Sequence, residues 1–197
     1  MSTDVLPLHD RLAPVEPLGL GALLAGARRT EVRARGSMAT VDALLIFDFG
    51  AGSDAGPSRS NRQLADMAAR WPDLPVLAQT EVATALARTG RVALDLQADL
   101  TTTVGEGYVD TTQVAGAAVR LLRSAGWHRV GVLAHPSHLL RCIATVERLG
   151  IEVSTPEISL SEVDFDPAST QWWTTSASAW RRRELAVVLH HRLTGRC

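Results

Sequence analysis

The chain has 197 residues, of which 46% are hydrophobic and 21% charged, an ordinary composition for one globular α/β domain. Its formal net charge is -1, so no overall basic field favours nucleic acid or an anionic membrane as a partner. All 20 basic residues are arginine. A Schiff-base lysine, a phosphate-binding GK[ST] loop and a Tyr-xxx-Lys dehydrogenase pair are therefore excluded.

The cysteines and the apolar runs bear on the compartment. Cys142 and Cys197 are far apart in sequence, which predicts neither a disulfide scaffold nor a cysteine-based zinc site and fits a reducing cytoplasm. No run reaches the ~20 apolar residues of a membrane span. The segment LGLGALLAGARRT resembles a signal peptide in its Ala25-x-Ala27 pattern, but the acids and prolines before it favour a short amphipathic helix. We expect a cytoplasmic protein without a membrane partner.

Strand and helix patterns alternate along most of the chain. Residues 1–40 are predicted as a Pro-rich arm, a helix over about 18–28 and an extended segment near 30–35. Strands are then predicted at VDALLIFDFG, PVLA, RVALDL, HRVGVLA and IEVST. Helices are predicted at NRQLADMAARW, EVATALARTG, VDTTQVAGAAVRLLRSAG and SHLLRCIATVERLG, and after a long polar connection at about 177–193. The alternation predicts a single Rossmann-like three-layer α/β sandwich over residues 41–197, with a mostly parallel sheet.

The segment HPSHLLR, which follows a predicted strand and opens a helix, is the strongest candidate for a ligand site. In open parallel sheets, ligands bind outside the carboxyl ends of the strands. Pro136 suits the first helical position, and His138 and Arg141 share a helix face. With the unpaired backbone N–H groups of a helix start, they predict an anion pocket.

The alternative for this segment is a polar helix start with a solvated arginine and one histidine that caps its own backbone. His135 by itself is favoured as structural. A metal site is disfavoured, because no clustered carboxylates or further histidines follow at ligand spacing. His138→Ala and Arg141→Ala are expected to abolish ligand binding and to change stability only modestly, since neither residue is predicted to lie in the core.

The stretch GAGSDA superficially matches a dinucleotide fingerprint, with Gly50 and Gly52 directly after a strand. Pro57 makes a helix start inside the motif improbable, and the acid Glu81 follows about thirty residues on instead of about twenty. The glycines are better explained as a turn whose backbone passes close to a ligand or to another loop.

Two further stretches carry polar groups. Glu106 lies between two glycines and is a candidate general base or hydroxyl acceptor, if burial or a charged neighbour raises its pKa. The alternative is a solvated loop carboxylate. In QWWTTSASAWRRRE, helical spacing predicts that Trp180 packs into the core while Arg181 and Arg182 face water, which disfavours a nucleic-acid stacking platform.

Taken together, five stretches resemble the YdcF-like family, also called SanA- or ElyC-like, a Rossmann-like family of largely undefined function. They are LIFDFGAG, NRQLADMAARW with Arg62, GEGYVDTTQVAGAA, HPSHLLRCIATVERLGIEV and WRRRELAVVLHHRLTG. The resemblance places Glu106, Thr112, His138 and Arg141 in the family's polar cluster, with Arg183 and Glu184 on its terminal helix. Val114 and Ala115 stand where the family has Glu and Asn.

The function predicted from these patterns is an enzyme acting on a small anionic molecule, phosphorylated or nucleotide-like. Glu106 and His138 are the predicted catalytic residues. The first alternative is a non-catalytic accessory protein that kept the pocket, and the second is a dinucleotide-dependent oxidoreductase. A nucleotide or an S-adenosylmethionine-like ligand follows from fold analogy alone, and a homodimer is left open. The residues predicted to bind the ligand are Gly50, Gly52, Arg62, Asp110, Thr111, Thr112, Ser137 and Arg141.

Overall fold

The computed structural model describes residues 29–53, 56–96 and 110–193, with side chains up to residue 186. It contains a five-stranded, all-parallel sheet with helices packed around it, and this confirms the predicted α/β three-layer sandwich. The strands are β1 (Glu31–Val32), β2 (Ala43–Ile46), β3 (Val76–Ala78), β4 (Leu94–Asp95), β5 (Arg129–Leu133), β6 (Glu152–Ser154) and β7 (Ile158–Ser159). The helices are α1 (Arg59–Ala68), α2 (Thr80–Arg88), α3 (Thr111–Ser124), α4 (Pro136–Arg148) and α5 (Ala177–Leu193).

The order of strands in the large sheet is β4-β3-β2-β5-β6. From the central strand β2 the chain first adds strands on one side and then, at β5, on the other. Leu44 of β2 lies beside Val76 of β3 and beside Gly131 of β5. The strand order therefore reverses between β2 and β5, which run parallel to each other. This is a topological switch point, where folds of this kind open a crevice beyond the carboxyl ends of the strands.

The core forms because the central strands are apolar on both faces. All four residues of β2 are buried, as a strand covered by helices on both sides requires. Most of these helices start at a polar residue whose side chain caps them, the exception being α2, where Gln79 makes no capping bond. Ser58 caps α1, and Asp110 caps α3 in a reciprocal capping box with Gln113. Pro136 opens α4 at the first position, as predicted.

Residues 29–40 pack onto this domain. β1 pairs antiparallel with β7, and Val32 is only 4% exposed within the main core. Arg35 and Thr155 exchange backbone hydrogen bonds of 2.9 Å. β7 lies within the stretch that the sequence indicates as a long polar connection. The predicted helix at 18–28 lies outside the described residues. Of the described helices, none has both the length and the apolar composition of a membrane span.

Asn61 of α1 ties the helix to the end of β2. Its Oδ1 accepts from the N–H of Phe49 at 2.8 Å, and its Nδ2 donates to the carbonyl of Gly50 at 3.1 Å. The side chain is fully buried. Asn61→Ala leaves two buried backbone groups without partners, and we expect it to lower the free energy of unfolding by about 2 to 4 kcal/mol in denaturant titration. Asp66→Ala, on an exposed position of the same helix, is the matched control. Equal effects from the two variants would contradict this role.

Candidate functional site

A cavity of about 240 Å³ opens beyond the carboxyl ends of the central strands. The segment after β2, the starts of α2, α3 and α4, and the connection before α5 all contribute to its wall. The lining residues are Phe47, Asp48, Phe49, Gly50, Ala51, Gln79, Glu81, Thr111, Val114, His138, Arg141, Gln171, Trp173, Thr174 and Trp180. This is the crevice that the strand order predicts.

Asp48 is the first charged side chain after β2, and it faces the start of α2. Its carboxylate accepts from the backbone N–H groups of Glu81 at 3.3 Å and Val82 at 3.2 Å. Burial raises the pKa of Asp48 to about 8, and the charges of Glu81 and Asp95 act in the same direction, against the lowering effect of the two backbone donors. The residue as a whole is only partly exposed, and it lines the cavity.

Glu81 bonds across the loop that follows β2 and contains Gly50 and Gly52, here called the glycine loop. Its carboxylate accepts from the N–H of Gly52 at 3.1 Å and from the N–H of Ser58 at 3.1 Å. A β-carbon on Gly52 would lie 1.8 Å from the carbonyl oxygen of Gly56, so the glycine permits a close approach between two parts of one loop. In a dinucleotide fold, the donors of this loop bind pyrophosphate. Here a carboxylate of the chain itself occupies two of them.

His138 and Arg141 form one network with Glu184 of α5. Arg141 donates to Nδ1 of His138 from Nε at 3.3 Å, and its NH1 lies 3.0 Å from a carboxylate oxygen of Glu184. Burial raises the pKa of Glu184, while Arg141 and then Arg183 oppose that rise. Because a guanidinium can only donate, Nδ1 of His138 is an acceptor and its Nε2 carries the proton. Burial and then the charge of Arg141 hold the pKa of His138 well below its usual value, so the ring is neutral.

The two histidines of HPSHLLR belong to an aromatic cluster. His135 is fully buried and stacks on Phe49 with ring centres 3.8 Å apart, and Phe165 lies 4.3 Å away. Its Nδ1 accepts from the N–H of Ser137 at 3.2 Å, so it caps α4, and burial lowers its pKa to about 3. Trp180 packs 4.8 Å from Phe49 and donates to the carbonyl of Ser137. The structural interpretation of His135 agrees with this geometry.

Two expectations for this segment are wrong. Sequence reasoning expected unpaired N–H groups at the start of α4, but Pro136 has none, Ser137 donates to His135 and the N–H of His138 donates to the carbonyl of His135. His138 was also expected outside the core, yet it is only 7% exposed and packs against Phe47 and Trp180. Arg141 is not a solvated arginine, since it pairs with a buried carboxylate.

The other predicted site residues fall into two groups. Gly50 and Thr111 line the cavity with His138 and Arg141, and Gly50 has φ +86 where Ser169 and Thr174 approach closely. The remaining ones do not line it. Asp110 caps α3, Thr112 is exposed, Ser137 bonds the carbonyl of Arg29, and Arg62 bonds the carbonyl of Pro57. Glu106 lies outside the described residues.

Two parts of the cavity were not predicted from the sequence: the carboxyl of Asp48, and the residues of the connection before α5. Asp48 interrupts the apolar run LIFDFG where a strand ends, and this was the available signal for it. Gln171, Trp173 and Thr174 lie in the long polar connection, whose position above the sheet follows from tertiary contacts alone. Trp180 was correctly predicted to be buried, and Arg181 and Arg182 are exposed as expected.

Comparisons of the chain with protein-family models, curated proteins and solved structures found no match. The resemblance to the YdcF-like family stays a prediction for this reason.

The raised pKa of Asp48 has a consequence for stability. An aspartate in the unfolded chain ionises near 3.8, whereas Asp48 in the folded chain holds its proton up to about pH 8. The folded state therefore binds more protons between these values, and stability falls as pH rises through that window. The asparagine of Asp48→Asn does not titrate. The melting temperature of the variant minus that of the wild type should therefore increase as the pH rises from about 5 to about 8. Thermal unfolding at several pH values measures this.

Asp66→Asn, at an exposed carboxylate, is the control for Asp48→Asn. A constant difference between Asp48→Asn and the wild type would show that the carboxyl ionises normally.

The Arg141–Glu184 pair should matter far more than an exposed pair. Arg141→Met leaves the Glu184 carboxylate buried without a counter-charge, and we expect a loss of about 3 to 5 kcal/mol in unfolding free energy. Arg141→Met with Glu184→Gln removes the stranded charge and should recover more than half of that loss. Arg35→Met, which breaks an exposed pair with Glu147, is the control and should cost under about 1 kcal/mol. Additive losses in the double variant would contradict the coupling.

Proposed function

We propose that the chain is an enzyme that binds a small molecule in the cavity and uses Asp48 as a general acid–base. The observation that carries this proposal is the Asp48 carboxyl itself, which lines the cavity with a pKa of about 8. A carboxyl with an ordinary pKa is a weak base and is almost never protonated at neutral pH, whereas one that titrates near neutrality can both donate and accept a proton. Raised pKa values of this kind cluster at active sites.

The position of Asp48 adds support. Its carboxylate is held by two N–H groups of α2, and its own backbone N–H donates to Oε1 of Gln79 at 3.0 Å. A group that transfers a proton gains from such fixed geometry, because the reacting atoms stay aligned without further ordering. Asp48 also follows the central strand at the switch point, where ligands of open α/β sheets bind.

His138 is proposed as a hydrogen-bond donor to the substrate in place of the acid–base role expected from the sequence. Its Nδ1 accepts from Arg141, and its low pKa makes protonation at neutral pH unfavourable. The neutral ring therefore presents the Nε2 proton, and the residue lines the cavity. Such a donor polarises a carbonyl or holds a hydroxyl. The predicted role of Glu106 stays a prediction.

One observation favours the accessory-protein alternative. Val114, which stands where the YdcF-like family has a polar residue, lines the cavity, so the wall is apolar at this point. The dinucleotide alternative loses support, because Glu81 occupies the N–H groups of Gly52 and Ser58. An anionic substrate, nucleotide-like or phosphorylated, stays a prediction of the sequence.

The experiment is a thermal-shift screen with paired variants at the cavity rim. Thr111 lines the cavity and Thr112, the next residue of the same helical turn, is exposed. We expect that a compound which raises the melting temperature of the wild type has no effect on Thr111→Tyr, whose ring fills the cavity, and its full effect on Thr112→Tyr. At a hundred times its dissociation constant, such a compound adds about 2.7 kcal/mol, or roughly 5–10 °C.

The screen should contain nucleotides, S-adenosylmethionine, dinucleotides, sugar phosphates, amines and neutral amides. A compound that binds is then incubated with the wild type and with Asp48→Asn, and its conversion is followed by mass spectrometry. Conversion by the wild type alone supports the enzyme. Binding without conversion by either protein supports the accessory alternative, and equal shifts in both threonine variants would place the binding site elsewhere.

A further inference from the structure

The charge of the cavity wall points to the class of substrate, provided that the proposed function is correct. We infer that the substrate carries a protonated amine that binds against Asp48, together with a neutral hydrogen-bond acceptor that faces His138. This differs from the anionic substrate predicted from the sequence. Three features of the described residues support it. The cavity wall is acidic, backbone N–H groups beside it already donate within the chain, and the Nε2 proton of His138 has no acceptor among the described residues.

The described wall of the cavity has a net negative charge when its carboxyls are ionised. Asp48 and Glu81 line it, and the guanidinium of Arg141 is the cation among the described lining residues. That cation is already matched by the carboxylate of Glu184 at 3.0 Å. Arg183 stacks over Trp173 at 5.5 Å but does not line the cavity. Asp48 holds its proton at pH 7 in the empty cavity. An entering anion therefore meets two acidic side chains and a cation that is already paired, whereas an entering ammonium group supplies the counter-charge with which Asp48 can ionise.

Backbone donors at two of the three helix starts that border the cavity, those of α2 and α4, are also in use. Phosphate and carboxylate ligands bind the free N–H groups at helix starts. At α2 those groups donate to Asp48, and at α4 the N–H of Ser137 donates to His135. In the glycine loop the N–H of Gly52 donates to Glu81. The chain thus supplies its own acceptors at the places where an anionic ligand would find its donors.

His138 determines the second feature of the substrate. The residue is only 7% exposed and lines the cavity, and among the described residues no hydrogen bond engages its Nε2. Among the described residues, the buried side-chain atom without a partner is Nε2 of His135, not that of His138. A ligand oxygen that accepts from His138 at the cavity therefore gains one hydrogen bond, but it does not relieve a buried unpaired group. A carbonyl or hydroxyl oxygen satisfies this group, and the nearby guanidinium of Arg141 favours an oxygen with partial negative charge.

Cation binding also prepares the proposed base. In the empty cavity the Asp48 carboxyl holds its proton at pH 7, because it is buried near Glu81 and Asp95. A bound ammonium group stabilises the ionised carboxylate, so the proton leaves to solvent as the ligand enters. The substrate therefore converts Asp48 from the acid form to the base form. This predicts the release of up to one proton per cation bound at pH 7, which calorimetry in buffers of different ionisation enthalpy measures.

A matched series of ligands tests the inference. 4-Aminobutanamide, pentanamide and glutaramate share a three-carbon chain and a primary amide, and they end in an ammonium, a methyl and a carboxylate group. Binding is followed by the indole N–H signals of Trp173 and Trp180 in proton–nitrogen correlation spectra, with those of Trp71 and Trp127 as internal controls outside the cavity lining. We expect the ammonium compound to bind at least tenfold more tightly than the other two.

Variants assign the contact of the ammonium group. Asp48→Asn should remove the preference for the ammonium compound over pentanamide, and Asp66→Asn should leave it unchanged. Tighter binding of pentanamide or glutaramate at the cavity indoles would overturn the inference and leave the proposed enzyme standing. If no member of the series or of the wider screen shifts these signals, both the proposed function and the inference are wrong. An unchanged ammonium preference in Asp48→Asn overturns the assignment to that carboxylate.

Discussion

The buried ion pair between Arg141 and Glu184 is the constraint on which the site depends. It joins α4 to α5, two helices that are distant in sequence, and α5 contributes Trp180 to the aromatic cluster. The same guanidinium fixes the protonation of His138 by donating to its Nδ1. A buried pair of this kind gives little net stability, but its geometry is demanding because either charge alone is costly. It therefore fixes how the terminal helix covers the cavity.

The starts of the helices follow a common rule in this molecule. Side chains of the chain itself accept from their N–H groups: Asp48 at α2, Asp166 at α1 and His135 at α4. Each acceptor comes from a residue that lies close to the cavity or to the aromatic cluster. The donors named here, which could otherwise recruit an external anion, are thus committed to holding the loops together. The same contacts therefore account for the fixed loops and for the proposed preference of the site for a cation.

Much of the fold is readable from the sequence, and less of the site. Apolar runs, helix caps and terminal glycines predict the described helices and the sheet, because these signals act over a few neighbouring residues. The sequence predicts Thr111, His138 and Arg141 as lining residues, because ligands bind outside the carboxyl ends of parallel strands. The pairing of Arg141 with Glu184 and the packing of Trp173 over the sheet depend on tertiary contacts across more than thirty residues. No local pattern encodes them, and the burial of His138 was missed for that reason.

The placement of Asp48 is best understood as a compromise between stability and function. A carboxyl taken out of water beside Glu81 and Asp95 loses the hydration that normally favours its ionised form, and the folded chain holds it protonated at a cost that an asparagine would avoid. An asparagine would keep one of the two bonds to α2, because its Nδ2 group cannot accept from an N–H. Under the proposed function, a titratable group at this point of the cavity wall supplies the proton that the reaction needs, and such departures from local stability rules are expected at functional sites.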